Sequence, residues 1–453
     1  MAYPADQHKK PSSTVRDWYL SNFERFEKSL NGEASSFIHD IRKSAIARFA
    51  EVGFPTTRDE EWKYTDVSPL TKVNFTPILQ QNLGGISKND IAPFTFNNLP
   101  SHRLVFVNGH FSKELSSVGV VPKGVKLGSL AEAVKSNDNV VKEHLTRHIH
   151  FSSNGFTALN AAFFYDGAFV VIPKGTILDL PIHLLFISSG FETEFVSFPR
   201  NLIVAEPNSQ AAIIESYVSV KNNIYFTNTV SEIVLGENAI VEHDKLQIES
   251  NRAFHIGTTQ IYQERSSNFI SNAISLGGLL VRNNIMPILD GEGAEATLNG
   301  LYLGTGSQHI DNHTVIDHAK PHCPSHELYK GILAGKSKGV FNGKIMVRKD
   351  AQKTDAKQTN KNLILSDDAS VDTKPQLEIY ANDVKCTHGA TIGQLDEEAV
   401  FYLRSRGLDV DKAKDILIYA FASDVIDRIK VEPLRDLLHQ MIHDRLEEGR
   451  ASA

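Results

Sequence analysis

The stretch IVLGENAIV at residues 233–241 overlays LILSDDASV at 363–371 without a gap. Ile233 falls on Leu363, Leu235 on Leu365, Asn238 on Asp368, Ala239 on Ala369 and Val241 on Val371. Looser copies stand at IVAEPNSQA (203–211) and ILDGEGAEA (288–296). Each copy is an apolar strand, a tight turn of small or polar residues, and a second strand. Such a unit cannot bury its apolar face alone and does so by stacking on the next copy. This predicts a coiled β-solenoid. The copies are offset by 30, 55 and 75 residues, too uneven for the equal blades of a propeller. A β-sandwich also fits short strands separated by turn signals and stays open at this point.

The hydrophobic period divides the chain into three parts. In TVRDWYLSNFERFEKSL and SSFIHDIRKSAIARFAEVGFP the apolar residues recur at three- and four-residue steps, and Gly53 and Pro55 stop the second run. This predicts an antiparallel helical pair, with a further short helix at FTALNAAFFYDG. From residue 166 the period is two, in segments rich in Val, Ile, Leu and Thr. After Leu395 the helical period returns, with Asp396 as N-cap, Gly407 as stop and Pro433 opening the last helix. The expected division is a mainly helical 1–165, a β core over 166–394 and a helical 395–453.

Composition narrows the function. A formal charge of −7 over 453 residues argues against a general nucleic-acid binder, which needs a basic surface to displace counterions. No apolar run approaches the length of a membrane span, and the start MAYPADQHKKPSS has no signal-peptide core. A cytoplasmic setting, without nucleic acid or membrane as partner, is expected. Cys323 and Cys386 are the only cysteines, too few for a disulfide framework.

Four segments bear on chemistry. GILAGKSKG at 331–339 resembles a phosphate loop, yet Lys330 stands where the motif requires its first glycine and no helix follows. HIDNHTVIDHAKPHCPSHELYK at 309–330 gathers five histidines and Cys323, but in no known finger spacing. Polar side chains on exposed strand faces and turns are the expectation there, and an autonomous metal carrier using His313, His318 and His322 is the alternative. In NDVKCTHGATIG, Cys386 and His388 are two apart. On a strand both face the same way, half of the four ligands that a closed metal site takes. A buried thiol and a hydrogen-bonded ring is the plainer reading of that pair. Finally, YLRSRG and the phenylalanine before it put Phe401, Tyr402, Arg404 and Arg406 on one short helix, residue types that interface hot spots favour.

The block NLILSDDASVDTKPQLEIYANDVKCTHGATIGQLDEEAVFYLRSRGL, 362–408, closely resembles the C-terminal signature of the SufB/SufD family of iron–sulfur cluster assembly. GFPTTRDEEWKYTDVSPL at 53–70, FTALNAAFFYDGAFVVIPKGT at 156–176 and VFNGKIMVRKDAQKTDAKQTN at 340–360 are also similar to that family. SufB-type chains tend to carry a cysteine just before the strand that here reads NLILSD. Thr359, Asn360, Lys361 and Asn362 fill that place, which favours the SufD branch.

The resemblance implies a right-handed parallel β-helix flanked by helices, acting as a scaffold and not as an enzyme, in a complex with a SufB-like paralogue and a SufC-like ATPase. It implies that the last core strands meet SufB and that the C-terminal helices dock SufC, while a homodimer in SufB's absence stays open. His388 falls on the family's interface histidine, with Cys386 beside it. Iron or an iron–sulfur cluster would then be held transiently, shared with SufB, and nothing would be bound stably by this chain alone. The rival from another class, a stand-alone β-helix enzyme acting on carbohydrate or acyl donors, needs a groove of converging acidic or basic groups that the sequence does not display.

Overall fold

The computed structural model describes residues 15–30, 37–80, 85–96, 99–149, 151, 154–190 and 193–451. Two sheets, of 11 and 10 strands, face each other, and the chain passes between them to make a β-solenoid of about seven turns. Along one wall Phe226, Phe254, Leu280, His309, Lys338 and Ser370 stack in parallel register.

The repeats are the corners of this coil. A strand must reverse within four or five residues, and one of them adopts the left-handed conformation that Asn and Gly tolerate best. Asn208 (φ 59°), Asn238 (φ 58°) and Gly293 (φ 71°) take that role. Three copies join the 11-stranded sheet to the 10-stranded one. The fourth, 363–371, joins Asp355–Ile364 of the 10-stranded sheet to Ser370–Ile379 of the other. The gapless overlay therefore relates opposite corners, and the offset of 75 includes a half-coil.

Strands in the middle are covered on both faces, so Tyr225–Leu235 is buried at all its positions, as parallel strands between two layers are. Ile203, Ile233, Ile261 and Ile285 fill the lumen. Outside the 10-stranded sheet, Ile214, Leu246, Ile274 and Leu301 pack on Ile418, Ala422 and Val425 of the helix Val410–Ile426. Around Phe226, Phe254 and Leu280 of the other sheet lie Phe75 and Trp62 together with Phe156 of the helix Gly155–Phe163.

Helices stand where the period put them, at Val15–Ser29, Phe37–Val52, Gly155–Phe163, Glu397–Ser405, Val410–Ile426 and Glu432–Ala451. Gly53 (φ 63°) closes the second by donating to Phe49 O at 2.8 Å. The sheets, however, begin before the change of period at residue 166. His102–Val107 and His110–Ser117 form an antiparallel hairpin, and its first strand lies parallel to Ile182–Ser188. The turn is Asn108-Gly109, both at positive φ, a pair strongly associated with tight hairpins. No described helix is long and apolar enough to cross a membrane.

The segment around Trp62 runs as a strap over the outer face of the 11-stranded sheet. The guanidinium of Arg282 lies 3.8 Å from the Trp62 ring centroid and donates to Glu61 O (2.7 Å) and Asp311 Oδ2 (2.8 Å). Thr65 Oγ1 donates to the same Asp311 oxygen at 2.6 Å, and Lys338 Nζ to Tyr64 O at 3.0 Å. Farther along, Lys374 meets Glu60. One segment thus ties four successive strands of the wall, up to the last.

Candidate functional site

The last rung of the coil is Ser370–Ile379 in one sheet and Lys385–Gly393 in the other. Each pairs with a strand on one side only, and neither contains a fully buried residue. Their free edges expose backbone donors and acceptors together with Ile379, Tyr380 and Ile392. Bare edges of this length are a template for pairing with another chain.

Cys386 and His388 lie on this rung. Cys386 is in register with Ala356 and His388 with Gln358, so both continue inward-facing columns of the lumen. Cys386 is half-buried against Ala356 and Leu377, and burial pushes its thiol up. A thiol so shifted stays protonated until a cation offsets the cost of its charge. His388 is exposed. The i,i+2 spacing thus puts two donors on one face at an open seam, and no described group of three or more His, Cys, Asp or Glu residues could hold a metal ion.

The histidine-rich span differs from its expectation. His313 and His318 are buried, while His322 and His326 are exposed. The cover over His313 is the strap, whose Glu61 carboxylate pairs with its Nε2 at 2.6 Å. That contact, with Lys344, holds the Glu61 carboxyl down to about 2 against its partial burial. His309 Nε2 meets Thr65 Oγ1 at 3.0 Å, and His318 Nε2 meets Ser325 Oγ at 3.0 Å. Cys323 is sealed in the core, its thiol donating to Gly291 O at 3.3 Å. These side chains hold coils together and do not converge on one point. The segment 331–339 is a corner: the strand Pro324–Leu333 ends, Gly335 (φ 67°) turns, and Lys338–Val347 begins.

A second exposed surface lies on Glu397–Ser405. Asp396 caps it, accepting from the backbone N–H groups of Glu398 and Ala399. Phe401 is 72% and Tyr402 57% exposed, beside the exposed Arg404 and Arg406. Arg406 donates to Tyr402 Oη at 3.1 Å. Ile416 and Val410 of the next helix extend the apolar area. A cleft of about 1110 Å³ separates this helix from the corner at Leu365–Asp367. Phe401, Tyr402 and Arg404 lie on this helix and Arg406 caps its end; the edge residues Ile379, Tyr380 and Ile392 are not among the residues that the sequence motifs single out. Their signal was an apolar end on each of two otherwise polar final strands.

Comparison with known proteins gives the family. Residues 186–421 match the model of the SufBD core domain of SUF-system FeS cluster assembly, and residues 13–184 match the SufBD protein N-terminal region. An iron–sulfur cluster assembly SufBD family protein of Synechocystis is 37% identical over 92% of this chain and 93% of its own length. The iron–sulfur cluster assembly protein SufD of Escherichia coli is 34% identical over 89% of this chain and 92% of its own. That of Bacillus subtilis is 28% identical over 96% and 98%. With both halves matched and relatives aligned nearly end to end, this chain belongs to the SufBD family of iron–sulfur cluster assembly proteins.

Proposed function

We propose that this chain is a cytoplasmic, non-enzymatic scaffold subunit that assembles with a SufB-like paralogue and a SufC-like ATPase to build iron–sulfur clusters. The observation that carries the reading is the open last rung, with its two bare strand edges and with Cys386 and His388 on it. Two donors are half of a tetrahedral set. The paralogue supplies the rest, so iron or a nascent cluster is cargo held at the seam between the two chains. The exposed Phe401, Tyr402, Arg404 and Arg406 dock the ATPase.

The connection between these surfaces is short. Gln394 and Leu395 alone separate the seam strand from Asp396, which caps the docking helix. ATP-driven closure of a pair of ATPase subunits would pull on that helix and shift the edge strands, exposing buried ligands for loading. Coupling of this kind needs a two-state element whose balance nucleotide binding biases, and the seam is that element.

The test is to co-express the chain with both partners and compare wild type with His388→Ala. Assembly of the complex is expected to be unchanged while cluster content falls to background. Wild-type cluster content in the variant would remove His388 from the mechanism.

A further inference from the structure

Beneath the seam, Glu327, Gln358 and His388 occupy three successive rungs of one inward column, in parallel register. Glu327 and Gln358 are sealed in the lumen, 3% and 2% exposed. His388 stands on the open rung above them. Glu327 Oε2 accepts from Gln358 Nε2 at 2.7 Å. That bond orients the planar amide, and its carbonyl oxygen turns away from the carboxyl group. Gln358 Oε1 is buried and has no hydrogen-bond partner among the described residues, His388 included.

The amide is also wedged in place. Across the lumen, a Cβ built on Gly343 would lie 2.3 Å from Gln358 Nε2, so the amide rests in space that only glycine leaves open. A buried acceptor without a donor is costly. One rung up, about 4.8 Å away, is a side chain whose ring carries an N–H on either of two nitrogens.

We propose that Gln358 is the positioning residue of His388: rotation of the exposed ring brings one imidazole N–H onto Gln358 Oε1, which accepts it and leaves the other nitrogen bare and turned to the seam. The inference rests on the seam reading above and deepens it. Ligating imidazoles generally hold their second N–H on a carbonyl or carboxylate, which fixes both the tautomer and the ring plane. Here that support comes from within the chain, through Gln358 and the Glu327 carboxyl that orients it, before any partner arrives. Cys386 has only Ala356 below it, so the two donors differ in how firmly they are set.

Nitrogen NMR of the full chain with isotope-labelled histidine reads this directly. The His388 ring signals are assigned by their loss in His388→Ala, at a pH where the imidazole is neutral. The wild-type tautomer ratio is expected to differ about tenfold from that of the exposed His322 and His326, the effect of one hydrogen bond. Gln358→Leu is expected to return His388 to their ratio, and Gln358→Glu, which keeps an acceptor, to preserve the bias. A wild-type ratio like that of the exposed rings, or a bias that survives Gln358→Leu, overturns the proposal. Should Gln358→Leu fail to fold, Gly343→Ala displaces the amide instead, and a bias persisting there is equally fatal. The measurement uses neither partner nor metal. Its failure leaves the seam reading intact, whereas cluster assembly that survives His388→Ala sinks the seam reading and leaves the tautomer result untouched.

Discussion

The two ends of the lumen are built from the same sheets and finished in opposite ways. At the N-terminal end the hairpin 102–117 extends one sheet, and Phe106 packs into a fully buried core with Phe186. At the C-terminal end both final strands are bare along one edge. Buried carboxyl groups differ according to what lies against them. Burial works to raise Glu215, in the closed part, but the hydrogen bond and charge of His243, helped by Lys245 and the Tyr217 hydroxyl, hold it at about 2. Burial pushes Glu327, two rungs from the open end, up to about 7, because the Thr314 hydroxyl and the Gln358 amide beside it offset that cost only in part. The difference follows the immediate neighbours and not the end of the coil: Asp244, one strand from Glu215, is likewise pushed up to about 7 by burial.

Three experiments sharpen or break that contrast. The largest effect belongs to the strap. Arg282→Ala leaves Asp311 buried without its cation and the Trp62 ring without its partner. A loss of about 3–5 kcal/mol is expected for such a broken pair, measured by denaturant unfolding. A loss under about 1 kcal/mol would show that the strap does not hold the wall. Next is the pH response of Glu327. Its carboxyl titrates at 4.5 when unfolded and about 7 when folded, so the folded state retains a proton that the unfolded state has released over that interval. Stability conferred below pH 4.5 therefore declines as pH rises to 7 and then levels off. Glu327→Gln removes the decline and gains roughly 3 kcal/mol at pH 8 relative to pH 4.5. Equal unfolding midpoints for variant and wild type across that range would refute the raised value. Smallest in stability is Ile392→Asp on the free edge, within about 0.5 kcal/mol of wild type as a surface change, yet expected to abolish co-purification with the paralogue. Retained co-purification would move the interface off this strand.

Much of the fold was legible because the corners have chemical requirements. Asn208, Asn238 and Gly293 answer the need for a left-handed residue with the types best suited to it. Ser266, His322 and Lys353 meet the same need at other corners, and those repeats were invisible because nothing in their chemistry announces the conformation. The hairpin at 102–117 is signalled by Asn108-Gly109, but its two strands lie in a part of the chain where the helical period dominates. The site was legible to the extent that it is local. Cys386 and His388 share a face by spacing alone, while Gln358 lies under His388 only through a register set by an entire turn of intervening chain. Burial of His313 depended on the remote strap, which no local pattern at 309–330 could reveal.

That strap also sets a timetable for biosynthesis. Glu60 leaves the ribosome well before its mate Lys374, which emerges 314 residues later, at about 5–20 residues per second roughly 15–60 s. Over that interval the early segment can engage only the strands already made, that of Arg282 first and those of Asp311 and Lys338 after it. The clasp closes only once Lys374 has been made, so a product that stops short of it cannot acquire the finished outer face, and a seam competent for pairing is coupled to synthesis through that residue.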